Sequence, residues 1–360
     1  MANFVMPKRH VMHNRTADSR VADAPLVTTA ASDVVLERRL AVSRRPVGDI
    51  AAGSDVVVMA NAGDDSVSVL DATTLDVVAT IALQGEPLAV AVANDRAYVS
   101  IAASSHDAVS VIDLDTKTVI KTYPVAAGVT ALAVSPDGKR VYAGRSAQDT
   151  VDVAVIDVTA ERVGTVEIGR APAANIDALR VDSNGKRLYL GVTDVSGSRL
   201  IVVDAETSHV SRVVPVGSPI RDIAHAGDAI YVLTSDRAVG GAVHVVDLAS
   251  MRVTDTTNLA GAPTQLVMSS DQSRAYIVDY DRVAMLCTLS LDIVDSLKVD
   301  ARPSCVTQDG DGSRLYIADY AGGLSVFSVE SSIATLYSQF LATDPIALEP
   351  PRIQRQPVTV

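Results

Sequence analysis

Charged residues stand in this chain where equivalent segments carry small or apolar ones. Arg221, Asp222 and Asp49 occupy such positions, and Arg180 lies close to the same position of another segment. Arginine and aspartate side chains that share a partly enclosed site can bind a small anionic or polar ligand. The same four side chains can instead pair with one another and form a solvated, ion-paired lining. The sequence leaves both interpretations open.

A second group has residue types suited to binding rather than to a reaction. Tyr280 and Tyr320 occupy matching places in two neighbouring segments, VDYDR and ADYAGG, and Arg282 lies two residues after the first tyrosine. Arg145 and Arg237 lie in loops of the same kind elsewhere in the chain. Tyrosine and arginine are enriched among the residues that anchor protein interfaces. We therefore predict that these five residues bind a partner; alternatively, the two rings lie flat over strand ends.

No segment shows a catalytic or cofactor-binding pattern. GxSxG, P-loop, GxGxxG and HExxH motifs are absent, and the six histidines are scattered along the chain. Only His225 falls near a predicted inner strand, whereas a metal site needs side chains that converge. Residues 309–313 (DGDGS) resemble half of a calcium loop but coincide with a predicted tight turn. We predict no catalytic residue, no metal and no organic cofactor.

The elements that position these residues form a repeat of about 40 to 47 residues. One tyrosine marks the second strand of each unit, with Met59 in the same place earlier: Tyr98, Tyr142, Tyr189, Tyr231, Tyr276 and Tyr316. An aspartate ends the third strand of five units: Asp71, Asp113, Asp157, Asp204 and Asp247. A proline opens most units: Pro46, Pro87, Pro172, Pro219, Pro263 and Pro303. Together, these recurring residues indicate seven units.

One unit, residues 128–169, shows the predicted strands most clearly. Four Val-rich runs, each bounded by Pro, Gly, Asp or Ser, have the length of strands: Thr130–Val134, Arg140–Ala143, Val151–Ile156 and Arg162–Ile168. The first two are separated by the tight turn Ser-Pro-Asp-Gly. A four-stranded unit of this length, repeated seven times, predicts an all-β, seven-bladed β-propeller. In that fold the four charged residues fall at the mouth of the central channel.

The two ends of the chain are predicted to differ from the repeat. Residues 33–42 resemble the last strand of the first unit, and we expect this N-terminal strand to complete the last blade. The alternative source of that strand is residues 332–337. We predict a disordered arm over 1–31, the propeller over 32–340, and a Pro-rich tail over 341–360 that can lie extended on the surface.

Composition narrows the class of partner. The net charge of -12 argues against binding nucleic acid through its phosphates. No apolar run has the ~18 residues of a membrane helix, and no apolar segment follows the N-terminal basic residues as in a secretory signal. Two cysteines provide no disulfide framework, as is usual in a reducing compartment. We expect a cytoplasmic monomer.

Three segments carry a resemblance to a known family. AVSPDGKRVYAG (133–144), RVDSNGKRLYLG (180–191) and DGDGSRLYIAD (309–319) resemble the repeats of the YVTN family of seven-bladed propellers, and the Ala/Val/Asp-rich style resembles its actinobacterial members. The resemblance implies a scaffold or stabilising partner, in mycobacteria one connected with cell-envelope lipid export. It also implies peripheral association with the inner membrane through a partner.

Three functions remain open at this stage. The favoured one is a non-catalytic scaffold that binds a protein or peptide on the loops between second and third strands. The second is a lactonase-like hydrolase, for which Asp49, Asp222 and His225 are the available side chains. The third is a module that binds a small ligand or a metal in the channel mouth.

Overall fold

A computed structural model describes residues 33–330 apart from Ala127 and Ala260, and the regular secondary structure of this part is entirely β. Among these residues there is no helix that could cross a membrane. The predicted arm (1–31) and Pro-rich tail (341–360), and the alternative outer strand over 332–337, lie outside the described residues.

The strands follow one another with short connections. The first fourteen are β1 (Val34–Ala41), β2 (Val47–Ala52), β3 (Val56–Asn61), β4 (Ser66–Asp71), β5 (Val77–Ala82), β6 (Glu86–Ala93), β7 (Arg96–Ala102), β8 (Ala108–Asp113), β9 (Thr118–Pro124), β10 (Val129–Val134), β11 (Arg140–Ser146), β12 (Thr150–Asp157), β13 (Arg162–Arg170) and β14 (Asn175–Val181). The remaining fourteen are β15 (Arg187–Asp194), β16 (Gly197–Asp204), β17 (His209–Gly217), β18 (Ile220–Ala226), β19 (Ala229–Asp236), β20 (Gly240–Asp247), β21 (Arg252–Leu259), β22 (Gln265–Met268), β23 (Arg274–Asp279), β24 (Arg282–Cys287), β25 (Ile293–Leu297), β26 (Pro303–Gln308), β27 (Arg314–Asp319) and β28 (Gly323–Val329).

These strands form seven four-stranded antiparallel sheets, which are the blades of a β-propeller. Blades 1 to 6 each consist of four consecutive strands, from β2–β5 in blade 1 to β22–β25 in blade 6. Blade 7 consists of β26, β27 and β28, and β1 pairs with β28 as its outer strand, with Val34 opposite Val329. The predicted N-terminal closing strand is therefore confirmed.

Side chains as well as backbone attach β1 to three blades. The Arg274 guanidinium of blade 6 donates to both carboxylate oxygens of Asp33, just before β1. Arg314 of blade 7 donates to Glu37 at 2.9 and 2.7 Å, and Arg38 donates to the Thr74 carbonyl of blade 1 at 2.8 Å. Because one short strand contacts the first and the last blades, it stabilises the closure of the ring.

The repeated tyrosines pack between blades. Five of them are at most 1% exposed: Tyr98, Tyr142, Tyr189, Tyr276 and Tyr316. The Tyr98 hydroxyl donates to the Gly138 carbonyl of the next blade at 3.2 Å, and the Tyr231 hydroxyl donates to Thr288 O of the next blade at 3.4 Å. Among the described residues, the buried hydroxyls of Tyr142, Tyr276 and Tyr316 have no hydrogen-bond partner.

The propeller has two different faces. The loop face carries the loops between the second and third strands and the connections that enter the inner strands. The turn face carries the tight hairpin turns at the opposite strand ends, including the turn after Asp71. That carboxylate accepts hydrogen bonds from the amides of Thr73 and Thr74 at 2.8 Å, which lower its pKa. The recurring aspartate of the repeat is therefore a turn residue.

Candidate functional site

The inner strands surround a cavity of about 230 Å³ on the propeller axis. All four charged residues predicted for the channel mouth line it: Asp49, Arg180, Arg221 and Asp222. The cavity also includes Tyr320, so it opens toward the loop face. Strands β2, β14 and β18 of three different blades thus bring together charged residues that are far apart in the sequence.

The ion pair in this cavity joins two blades. Asp222 is only 5% exposed, and its Oδ1 accepts from Arg180 Nη2 at 2.7 Å and from Ile223 N at 2.8 Å. Burial raises the pKa of Asp222, and the Arg180 charge opposes that shift. The adjacent Arg221 lines the same cavity but does not make this pair.

A set of inter-blade hydrogen bonds explains why polar residues occupy the inner strands. Asp49 Oδ2 accepts from Val90 N of the next blade at 2.9 Å, and Asp222 Oδ2 accepts from Leu266 N at 3.0 Å. Each acceptor connects its inner strand to the same backbone position one blade further on. Burial raises the pKa of Asp49 to about 6, although the Val90 amide and the Arg180 charge act against it. The charged positions are therefore in part structural.

Arg221 and Asp177 form the less constrained side of the cavity. Arg221 Nη2 donates to the Ser235 carbonyl at 3.4 Å, and Asp177 accepts from Asn175 Nδ2 at 2.6 Å. Burial raises the pKa of Asp177, and the Arg221 charge partly offsets this effect. Cys305 also lines the cavity, but burial raises the pKa of its thiol, so it is a poor nucleophile.

Two exposed tyrosines and one arginine form the most distinctive feature of the loop face. The guanidinium carbon of Arg302 lies 4.7 Å from the Tyr280 ring centroid and 5.0 Å from that of Tyr320. Tyr280 is 61% exposed and Tyr320 is 46% exposed. We call these three residues the Tyr–Arg–Tyr platform. The predicted tyrosine pair is therefore brought together, and both rings contact the Arg302 guanidinium.

Buried aspartates position the platform. Asp279, 5% exposed, accepts from the Tyr280 amide at 2.9 Å and from Ala262 N at 2.8 Å. Asp319, 7% exposed, accepts from the amides of Ala321 and Gly323, both at 2.8 Å. The Asp-Tyr dipeptides thus place each ring on a fixed turn.

Arg302 itself has no counterpart in the sequence prediction. Its backbone is held by Tyr320, whose amide donates to the Arg302 carbonyl at 3.0 Å. The only sequence signal is its position, directly before Pro303, which opens the seventh unit. A cation–π contact between side chains on two loops requires the folded arrangement.

The other predicted partner-binding arginines occupy different environments. Arg282 lies beside the platform, with Nη2 3.5 Å from Asp279 Oδ2. Arg145 is held inside its own blade, because Nε donates to Asp152 at 2.6 Å and Nη1 to the Val125 carbonyl at 2.7 Å. Arg237 is exposed in the loop of blade 5. Of the three, Arg282 and Arg237 are available on the loop face.

The loops of four consecutive blades expose one large apolar or aromatic side chain each. In blades 4 and 5 these are Val195, 75% exposed, and Val239, 74% exposed; in blades 6 and 7 they are Tyr280 and Tyr320. The matching loops of blades 1 to 3 carry mostly small and polar residues instead. The apolar arc formed by Val195, Val239, Tyr280 and Tyr320 was not predicted, since single loop valines attract no attention in a Val-rich chain.

The remaining chemical candidates are structural. His225 stacks on Tyr189 with 5.7 Å between the ring centroids. In the calcium-like segment, Asp309 Oδ1 accepts from Arg314 N at 3.0 Å and Asp311 Oδ1 from Ser313 N at 2.8 Å, as in a turn. Across the described part of the chain, no three His, Cys, Asp or Glu side chains are grouped as metal ligands.

Fold and site together define a seven-bladed β-propeller with an aromatic and cationic surface on its loop face. The chain belongs to the YNCE-like beta-propeller family, whose pattern matches residues 26–285. This agrees with the resemblance of its repeats to YVTN-type propellers.

Two mycobacterial relatives cover most of the chain. It is 47% identical over 319 residues to a seven-bladed beta-propeller protein of Mycolicibacterium smegmatis, which covers 88% of this chain and 87% of that protein. It is 32% identical over 324 residues to the seven-bladed beta-propeller protein Rv1057 of Mycobacterium tuberculosis, covering 79% and 82%. Among solved structures, the hydrazine synthase of Kuenenia stuttgartiensis matches with a TM-score of 0.70 at 21% identity, over 80% of this chain and 97% of that one. At this identity the similarity supports the fold alone.

Proposed function

We propose that the protein is a non-catalytic scaffold that binds a protein partner on its loop face, over blades 4 to 7. The observation that carries the proposal is the Tyr–Arg–Tyr platform. Two large aromatic rings are exposed there although the rest of the repeat buries its tyrosines. Exposed aromatic and arginine side chains on a rigid framework are the residue types that dominate binding energy at interfaces.

Pre-organisation supports this role. Arg302 already contacts both rings, and buried aspartates hold the turns beneath them, so binding immobilises few additional side chains. The apolar arc continues the platform across two more blades, which enlarges the surface that a partner can cover. Rigid strands below the loops keep these residues in register with one another.

The cavity residues support a scaffold rather than a hydrolase. Asp49 and Asp222 each accept a backbone amide of the next blade, and Asp222 is also paired with Arg180. Side chains engaged in this way stabilise the ring and are less available to move a proton to a substrate. His225, the third candidate, stacks on a core tyrosine.

The resemblance to actinobacterial YVTN-repeat proteins extends the proposal to a cellular setting. We place the scaffold in the cytoplasm as a monomer, at the inner membrane through its partner. The partner in this proposal is a component of a cell-envelope lipid-export complex.

A comparative affinity capture tests the binding surface. The tagged chain, the Tyr280→Ala/Tyr320→Ala variant and the Lys139→Ala/Lys186→Ala variant are compared, and retained proteins are quantified by mass spectrometry. Loss of two anchors should cost about 2 kcal/mol or more, which is ~30-fold in affinity. The lysine pair lies on the turn face and should leave binding unchanged. If the lysine pair abolishes binding and the tyrosine pair does not, the partner occupies the turn face.

One observation favours a second function. Asp49, with a pKa raised to about 6, has the acidity of a general base and lines an axial cavity that opens on the loop face. A lactonase-like hydrolase, or a module that binds a small polar ligand, would use this cavity. A screen of lactones with the wild type and Asp49→Asn separates the hydrolase from the scaffold and from the ligand-binding module, because only a hydrolase shows turnover that the substitution removes.

A further inference from the structure

The geometry of the platform specifies the kind of group that it binds. The Arg302 guanidinium carbon lies within 5.0 Å of both ring centroids, and Arg302 is exposed. Within the described residues the Arg302 side chain has no ion pair or hydrogen bond. A guanidinium edge presents N–H donors in a fork that matches a carboxylate. The expected ligand is therefore a carboxylate with apolar groups beside it that pack on the exposed rings.

Near the platform, Arg302 and Arg44 are exposed and make no ion pair within the described residues, whereas Arg282 is paired with Asp279 and Asp281 is exposed beside Tyr280. Arg282 lies on one side, and Arg44 follows Ser43, whose amide donates to Gly322 O at 3.0 Å in the turn after Tyr320. The chain as a whole has a net charge of -12. The guanidinium groups of Arg302 and Arg44 can therefore pair with the carboxylates of an acidic segment.

A segment of the same chain has the required chemistry. Residues 344–351 read DPIALEPP, so that Asp344 and Glu349 each directly precede a proline. Proline rings pack on aromatic side chains, and Pro-rich segments bind in an extended form that loses little entropy. An acidic residue beside a proline can place its carboxylate at the guanidinium edge while the ring contacts a tyrosine.

The chain length permits this contact. β28 runs from the loop face to the turn face, and the Glu330 amide donates to Asp33 O at its end. The seven residues of this strand separate the loop face from the turn face by ~23 Å at ~3.3 Å per residue. Residues 331–343 can span up to ~43 Å when extended. A tether of this length gives the segment an effective concentration in the millimolar range.

We infer that residues 344–351 of this chain dock on the Tyr–Arg–Tyr platform, with an acidic side chain on the Arg302 guanidinium. The inference rests on the surface used in the proposed function and adds regulation to it: the segment is an internal competitor of the partner.

Hydrogen exchange measured by mass spectrometry on the full chain tests the docking. The amides of 344–351 should exchange at least ~10-fold faster in Arg302→Met than in the wild type, because the carboxylate loses its donor. Lys139→Met, on the turn face, should leave that exchange unchanged. The strands of both variants should exchange as in the wild type. Equal exchange of 344–351 in Arg302→Met and the wild type overturns the inference.

A second variant keeps the test independent of the propeller's stability. Asp344→Asn/Glu349→Gln changes only residues outside the blades, and it should speed exchange in the loops of Tyr280 and Tyr320. No change in those loops overturns the docking. Protection that rises with protein concentration also overturns it, because the segment of a second copy is then the ligand.

Failure of this inference can be distinguished from failure of the proposed function. If the platform binds both ligands, the acidic double variant should capture the partner with ~10-fold higher affinity than the wild type. If hydrogen exchange shows docking but no captured protein depends on Tyr280 and Tyr320, the inference is supported and the proposed function is contradicted. If a partner depends on the two tyrosines but binds the wild type and the acidic double variant with the same affinity, the proposed function is supported and the competition is overturned.

Discussion

Asp49→Asn is expected to stabilise the folded protein at neutral pH. Burial raises the pKa of Asp49 from 3.8 to about 6, so that the ionised form costs the folded state ~3 kcal/mol at ~1.4 kcal/mol per pH unit. Asparagine removes this cost and can still accept from Val90 N. It gives up the weaker hydrogen bond from Ile50 N, worth ~1 kcal/mol. The net gain is ~2 kcal/mol, or ~4 °C in Tm at ~2 °C per kcal/mol for a chain of this size.

The sign of the pH dependence provides the sharper test. Because the folded pKa lies above the unfolded value, the wild type gains stability from this group as the pH falls through 6 toward 4. The advantage of Asp49→Asn should therefore shrink to near zero at pH 4.5. Thermal unfolding followed by circular dichroism at pH 7.5 and 4.5 measures both quantities. A variant that melts below the wild type at pH 7.5, or a difference independent of pH, refutes the reasoning.

Asp71, in the same blade, provides a control because its pKa is shifted in the opposite direction. The amides of Thr74 and Thr73 lower the pKa of Asp71. A lowered pKa contributes stability above the unfolded value, and this contribution is lost as the pH falls below about 4. Asp71→Asn should therefore melt below the wild type at pH 7.5, whereas Asp49→Asn melts above it.

Three further predictions concern closure, metal content and the platform. Deletion of residues 1–45 removes β1 and should sharply lower the thermal stability and promote aggregation, as measured by thermal unfolding with light scattering. Deletion of residues 1–30 should change little. If the two truncated proteins melt at the same temperature, the role of β1 in ring closure is contradicted. Elemental analysis of protein purified without chelators should find no stoichiometric metal, and a metal that is lost on changing His225 or Asp222 contradicts this. Arg302→Met should weaken partner capture as much as the Tyr280→Ala/Tyr320→Ala variant does. Its Tm should stay within ~1 °C of the wild type, since the side chain is exposed. Unchanged capture would show that Arg302 does not contribute to partner binding.

Local patterns predicted the strands well because their causes are local. In the unit of residues 128–169, the four predicted strands correspond to β10–β13, with ends that differ by at most three residues. The turn between the first two strands is closed by Gly138 N donating to Ser135 O at 2.8 Å, as Ser-Pro-Asp-Gly predicts. The closing strand was also identifiable, since its sequence resembles the outer strand of the first unit.

Side-chain partners were harder to predict because they depend on the distance between blades. The sequence left open which of the four charged residues pair, whereas the structure pairs Asp222 with Arg180, a residue of the preceding blade. The ring brings strands of different blades to within hydrogen-bond distance. The inter-blade amide contacts of Asp49 and Asp222 have the same origin.

The sequence by itself determined the architecture: a repeat of about 40 to 47 residues with its prolines, tyrosines and turn aspartates specifies four strands per unit, and seven units specify the ring. It also identified Tyr280 and Tyr320, because they depart from that repeat. Only the tertiary structure placed Arg302 against both of their rings and exposed Val195 and Val239 in the corresponding loops of blades 4 and 5. Those contacts join loops of different blades, and their spacing is set by how the sheets pack around the axis rather than by any local preference of the chain.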